Sequence, residues 1–258
     1  MFDTGDHVHN AFSWIATRMH FLARTMFPPF CVGCGNPGQW ICETCTPKIL
    51  IPAQEECVVC RAYSSKFKTH VSCRATSPLD RVVICWKYND HAKRVMHRFK
   101  YSYRYDLAQE LAKNAIPYLL PYLSRNTVFV PVPSTRSRDA KRGFNQSSML
   151  AKELARWSSR GVVKNLLSRK ETTTHQAGSS RSERLELDAE QFNFTACDLP
   201  KTAALVLVDD VCTTGATLSA CARKLTEEGF TNVSAVALFR GAQRSRFSTQ
   251  PPLPRKID

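Results

Sequence analysis

Residues 205–217 read LVLVDDVCTTGAT. Four apolar residues run into two adjacent carboxylates, Asp209 and Asp210. Then come Cys212, two threonines, Gly215, Ala216 and Thr217. An unbroken apolar run of this length fits a central strand of a parallel sheet, buried on both faces. Ligands in such sheets sit beyond the carboxyl ends of the strands, so Asp209 and Asp210 are expected to emerge there. Two carboxylates at that point are costly unless they meet hydroxyls, a metal ion or cations. Residues 212–217 would then wrap a turn and open a helix, whose first amides and threonine hydroxyls form an anion cradle. Gly215 allows close approach of a phosphate to the backbone. One ligand fits all of this: a sugar phosphate, with its hydroxyls on the carboxylates and its phosphate on TTGAT.

The flanking pattern supports that sheet. VVICWKY at 82–88, TVFVPV at 127–132, AALVLV at 203–208 and VSAVALF at 233–239 read as strands. Helical spacing is present at 91–100 and 146–158, at 107–123 with breaks near Pro117 and Pro121, and at 216–228 with Gly229 as its stop. STRSRDAKRGFNQ, from 134 to 146, reads as a basic loop, and 168–190 as a long mobile one. Strand–helix alternation predicts an α/β domain with a mostly parallel, Rossmann-like sheet over residues 76–240.

Upstream lies a different kind of sequence. Seven of the eleven cysteines fall between 31 and 73. Cys31-x2-Cys34-x7-Cys42-x2-Cys45 supplies two thiolate pairs, a spacing that suits a tetrahedral zinc site. Cys57, Cys60, His70 and Cys73 supply a second set, with imidazole as the fourth ligand. So short and polar a segment would draw its folding energy from the metal, giving a double zinc-ribbon module at 30–75 with structural ions. Cys85, Cys197, Cys212 and Cys221 have no such spacing and read as packing residues.

The formal net charge of +14 suggests a polyanionic or phosphorylated partner. From Arg81 to Arg104 there are seven Lys/Arg and one acid. Lys93, Arg94, Arg98, Lys100 and Arg104 are the candidate phosphate contacts for single-stranded DNA. Trp86, Tyr88 and Phe99, interleaved with them, fall on core-like positions. Residues 1–29 read as an amphipathic helix that docks on the same protein, and 241–258 as a disordered basic tail. No run reaches the ~18 apolar residues of a membrane span, and the N-terminus lacks the basic start of a secretory signal. The expected location is the cytoplasm, its membrane face included.

The 205–217 stretch closely resembles the phosphoribosyl-pyrophosphate signature of type I phosphoribosyltransferases. RGFNQ at 142–146 after PVP at 131–133, FKY at 99–101, the paired cysteines, and the Gln176, Arg184, Phe192 spacing resemble the ComF family, including its GntX branch. Leu187 stands where many members have Asn, and His70 where they have Cys. The resemblance implies a type I phosphoribosyltransferase-like domain behind a zinc ribbon, in a protein of DNA uptake and natural transformation. Asp209 and Asp210 would hold the ribose hydroxyls, with Mg²⁺ accompanying the diphosphate. Val208, Thr213, Thr214, Gly215, Ala216 and Thr217 would complete the sugar-phosphate cradle. Ser134, Thr135, Arg136, Lys141 and Arg142 would face the diphosphate, and Arg184 would close over it. Two activities follow as alternatives: binding of phosphoribosyl pyrophosphate beside single-stranded DNA and the uptake machinery, or transfer of the phosphoribosyl group to an unidentified acceptor.

Overall fold

The computed structural model describes residues 28–101, 105–159, 161–171 and 189–241, without the side chains of Tyr101, Arg138, Lys141 and Arg142. The N-terminal helix, the basic tail beyond 241, Arg104, Gln176, Arg184 and Leu187 lie outside the described residues, as does the Arg142 side chain.

Four apolar segments form most of one parallel sheet: β1 (Val82–Lys87), β2 (Val128–Pro131), β6 (Leu205–Cys212) and β7 (Val233–Arg240). A two-residue edge strand, β3 (Val162–Val163), completes the order β1-β7-β6-β2-β3. A second, antiparallel pair joins β4 (Leu167–Arg169) to β5 (Phe192–Phe194). α1 (Thr46–Ile49) precedes the sheet, and between its strands run α2 (Asp90–Tyr101), α3 (Tyr105–Leu119), α4 (Arg136–Arg142), α5 (Gln146–Ser158) and α6 (Ala216–Glu227).

The chain leaves β2 for β3 on one side, and β6 for β7 on the other. The gap between β2 and β6 is therefore the topological switch point, where open α/β sheets bind their ligands. α3 and α5 pack together and cover one face, while α6 covers the other beside β5. The buried side chains include Trp86, Phe99, Phe129, Phe230 and Phe239. Trp86 and Phe99 are thus core residues, as their positions suggested, and Tyr88 is packed against that core.

The cysteine-rich segment shares this core. Cys31, Trp40, Ile41, Cys45, Ile49 and Leu50 belong to the same apolar cluster as the sheet. Residues 51–53 also lie along the outer edge of β1, where Lys87 N–H donates to Ile51 O at 2.8 Å and Ala53 N–H to Cys85 O at 3.0 Å.

Four details differ from the sequence reading. The acidic pair does not emerge past the strand. β6 continues through it to Cys212 because β7 runs equally far, pairing Asp209 with Ala237 and Cys212 with Arg240. The basic loop contains a helix, α4, whose start is held by Ser134 hydroxyl on the Asp139 carboxylate and by Asp139 N–H on Thr135 O. α3 begins at Tyr105 and passes through Pro117, because a proline in the last turn forfeits only one helical bond. The long loop at 168–190 is framed by β4 and β5, and its residues 172–188 lie outside the described set.

Candidate functional site

β6 delivers Asp209 and Asp210 side by side at the switch point. Val208 is fully buried and its carbonyl accepts Val132 N–H at 2.9 Å, so it stitches β2 to β6 and presents no side chain to a ligand. Asp209 Oδ1 accepts from Asp210 N–H at 2.9 Å and from Ser147 hydroxyl at 3.2 Å. Ser147 stands in the first turn of α5, which Asn145 caps by accepting Ser148 N–H. The RGFNQ segment thus reaches the acidic pair through the helix it opens. Desolvation, then the adjacent Asp210 carboxylate, raise Asp209 from the ordinary carboxylate range to about 7. The Asp210 amide, Ser147 and Lys100 oppose that rise.

Lys100 is the partner of Asp210. Its Nζ lies 3.1 Å from Asp210 Oδ2. It occupies the last turn of α2 and turns into the cleft, whereas Lys93, Arg94 and Arg98 are exposed. Of the basic set expected on the nucleic-acid face, Lys100 alone among the described members is committed to the acidic pair.

After β6, residues 213–215 turn the chain into α6. Gly215 precedes the helix with φ +78°, left-handed backbone that glycine adopts without strain. Thr213, Thr214, Ala216 and Thr217 are exposed, and Thr214 hydroxyl accepts Ala216 N–H at 3.3 Å. No side chain caps the remaining first amides of this helix among the described residues. They can therefore accept an anion.

Across the switch point, Ser134, Arg136 and Asp139 line a cavity of about 560 Å³ with Asn145, Arg169 and Lys170. Thr135 hydroxyl lies 3.1 Å from Ser137 hydroxyl and is not among the lining residues. Arg169 also borders a small cleft with Ala216 and Thr217 at the start of α6. Its guanidinium donates to Gln191 Oε1 at 3.0 Å and lies over the Phe192 ring. The sequence reading missed Arg169 and Lys170, because they fall in a stretch it took for a loop. A Leu-Ser-Arg run opposite Phe-Asn-Phe was the available signal for a strand pair.

The eight expected metal ligands form two groups. In each of them, Cys31/Cys34/Cys42/Cys45 and Cys57/Cys60/His70/Cys73, the ligand atoms lie within 4.8 Å of one another. Thiolates at ~2.3 Å from a tetrahedral ion stand roughly 3.8 Å apart, so both groups fit such an ion. In the second, His70 Nδ1 faces Cys60 Sγ at 3.3 Å, while Nε2 lies 3.1 Å from Tyr63 O. That outer hydrogen bond leaves Nδ1 as the metal-facing nitrogen. In the first, burial works against ionisation of Cys31, but the amides of Cys42, Cys34 and Gly33 lower it to about 6. Burial and the neighbouring thiols push Cys45 up to about 12. Four thiolates so close together need a cation to coexist.

No protein-family model matches the chain. It is 28% identical over 217 residues to competence protein ComFC of Bacillus subtilis, covering 80% of this chain and 86% of that protein. It is 29% identical over 233 residues to DNA utilization protein YhgH of Escherichia coli O157:H7, covering 83% and 97%. Competence protein F of Haemophilus influenzae is 26% identical over 170 residues, covering 62% and 73%. Among solved structures, an adenine phosphoribosyltransferase aligns at TM-score 0.32 and 12% identity over 53% of this chain and 69% of that one. A purine phosphoribosyltransferase from Pyrococcus horikoshii aligns at TM-score 0.30 and 14% identity, over 58% and 92%. No helix among the described residues is long and apolar enough to cross a membrane. Over most of its length the chain is thus similar to competence and DNA utilization proteins, and its two cysteine-rich clusters could each hold a metal ion.

Proposed function

We propose that this protein works in DNA uptake, binding phosphoribosyl pyrophosphate at the switch point and single-stranded DNA on the exposed side of α2, with two structural zinc ions. The observation that carries the reading is one continuous strand–turn–helix: the acidic pair on β6, the glycine turn, and the uncapped start of α6. Asp209 and Asp210 would take the ribose hydroxyls, directly or through Mg²⁺-bound water, and the amides and hydroxyls of 213–217 the 5′-phosphate. Mg²⁺ would supply charge neutralisation of the diphosphate. Ser134, Thr135, Arg136 and Arg142 would meet that diphosphate, and Arg184 would close over it. Lys100 would have to release Asp210, or share it, when the sugar binds.

The DNA part rests on Lys93, Arg94 and Arg98, with Arg104 as a further contact. Arg94 and Arg98 also border a cleft of about 710 Å³ with His97, Trp40 and Phe30, whose ring is 60% exposed. Cations beside an exposed aromatic ring are the usual means of holding a single strand without sequence preference. The relatives' names, competence and DNA utilization, point the same way, and the uptake machinery would supply the protein partners.

A second reading, phosphoribosyl transfer to an unidentified acceptor, draws on the 560 Å³ cavity lined by Ser134, Arg136, Arg169 and Lys170. Calorimetric titration with Mg²⁺ and phosphoribosyl pyrophosphate tests the shared premise. Micromolar binding should vanish in Asp209→Asn/Asp210→Asn while affinity for a single-stranded oligonucleotide stays within about twofold. Loss of both ligands together in a folded variant would refute the two-site arrangement.

A further inference from the structure

The second cysteine cluster lies against the back of the phosphate turn. Arg61, one residue after Cys60, donates through Nη2 to Thr213 O at 2.9 Å and Gly241 O at 3.2 Å. Its Nη1 binds Glu56 at 3.1 Å. Glu56 also holds Arg240, the buried last residue of β7. Arg240 in turn donates to Cys212 Sγ at 3.0 Å and to Val58 O at 3.3 Å. One carboxylate therefore orients two guanidiniums that bridge the ligand knuckle to the end of β6 and its turn.

The contact is also steric. A Cβ on Gly215 would stand 2.5 Å from Val58 Cγ2, and Val58 is the residue after Cys57. The other arm of the cluster reaches α6. Arg223 donates to Thr76 O at 3.2 Å, and the buried hydroxyls of Ser219 and Ser77 are 2.8 Å apart. Residues 75–77 come one residue after the ligand Cys73. Both ligand-bearing arms thus grip the strand–turn–helix that carries the phosphate cradle. Arg61 holds φ +65°, a conformation costly for a side-chain-bearing residue. The knuckle that fixes it is closed by Arg61 N–H on Cys57 O and Cys57 N–H on Ala62 O.

We infer that Arg61 is a positioning residue: through it the metal-held second cluster fixes the geometry of the phosphate turn, so that the ion contributes to sugar-phosphate affinity without touching the ligand. The affinity part rests on the binding mode proposed above, and the bracing part does not.

The test is amide hydrogen exchange on the full, ligand-free chain, read at Gly241, whose N–H bonds Cys212 O, and at Ser219, whose N–H bonds Gly215 O. Arg61→Ala keeps all eight ligands. It should retain both metal ions and leave exchange in β1 and α3 unchanged, while accelerating exchange at Gly241 and Ser219 about tenfold, a local opening. Cys60→Ser, at an exposed ligand of the second cluster, should do the same or more; Cys34→Ser, its counterpart in the first, should not. Affinity for ribose 5-phosphate should fall in the same order. Unchanged exchange in Arg61→Ala, or equal acceleration by Cys34→Ser, overturns the inference, and Arg61→Ala decides should Cys60→Ser fail to fold. If exchange responds but the wild type binds no ribose 5-phosphate, the brace stands and the sugar-phosphate reading falls.

Discussion

The two clusters are each built from two ligand pairs of x2 spacing and differ in what they hold. The first has four thiolates and faces helices: Trp40 and Ile41 N–H donate to Glu110 of α3, and Asn89, just before α2, donates to Lys48 O beside Cys45. Around it lie Arg94, His97, Arg98 and Phe30, the proposed nucleic-acid side. The second substitutes His70 for one thiolate and faces the proposed phosphate turn through Arg61 and Val58, and α6 through residues 75–77. Similar local chemistry therefore serves two different sets of partners near the carboxyl ends of the parallel strands. What separates the two is the long-range partner of each knuckle, rather than the knuckle.

If that contrast is right, the clusters should be alike in stability and unlike in binding. Replacing a buried ligand in either cluster, by Cys45→Ser or Cys57→Ser, removes a metal and should cost ~4 kcal/mol or more, a fall of roughly 8–16 °C in Tm. Scanning calorimetry at fixed zinc checks this. A variant that keeps its Tm would show that its cluster does not stabilise the fold.

A glycine pair sharpens the comparison. Gly35 of the first knuckle and Gly215 beside the second are both left-handed, at φ +80° and +78°. A Cβ on Gly35 meets nothing within 4 Å, whereas on Gly215 it strikes Val58. Gly35→Ala should cost ~1 kcal/mol, and Gly215→Ala about 1–3 kcal/mol more. Val58→Ala should recover much of that excess in denaturant titrations. No difference between the two glycines would mean that the knuckle does not press on the turn.

Asp209 makes the switch-point site pH-sensitive. Its carboxyl is raised to about 7 in the fold, whereas it ionises near 3.8 in the unfolded chain. Between those values the unfolded state has lost a proton that the folded state keeps, so this residue costs stability as pH rises from about 4 to 7. Asp209→Asn should remove that slope, and a slope unchanged in Asp209→Asn would place it elsewhere. The smallest effect belongs to the α2 face beside the first cluster. Arg94→Ala/Arg98→Ala should weaken single-strand binding and lower its log–log salt slope by about 1.4, two phosphate contacts, leaving sugar-phosphate affinity intact.

Much of this was legible in local pattern. LVLV is a strand because it is apolar and unbroken; the cysteine pairs read as metal knuckles because both thiolates come from one turn. Trp86 and Phe99 announced their burial by periodicity. What stayed hidden depends on distant partners. β6 runs through Asp209 and Asp210 only because β7 continues beside it. Lys100 looked like one cation on a basic helix, and its engagement with Asp210 needs a contact across 110 residues of chain. Arg61 and Thr213 are 152 positions apart, so no local window links the second knuckle to the phosphate turn.

The central claim is a sugar-phosphate site built on a protonatable acidic pair. We would titrate the zinc-loaded chain with Mg²⁺ and phosphoribosyl pyrophosphate at pH 6.5, in two buffers of different ionisation enthalpy. Asp209, whose carboxyl is raised by burial and by Asp210, must ionise to hold the ligand. The expected result is micromolar binding with release of a proton, a release missing from Asp209→Asn. Folded, metal-loaded protein that binds nothing, or that binds with the same proton count in wild type and Asp209→Asn, would contradict it.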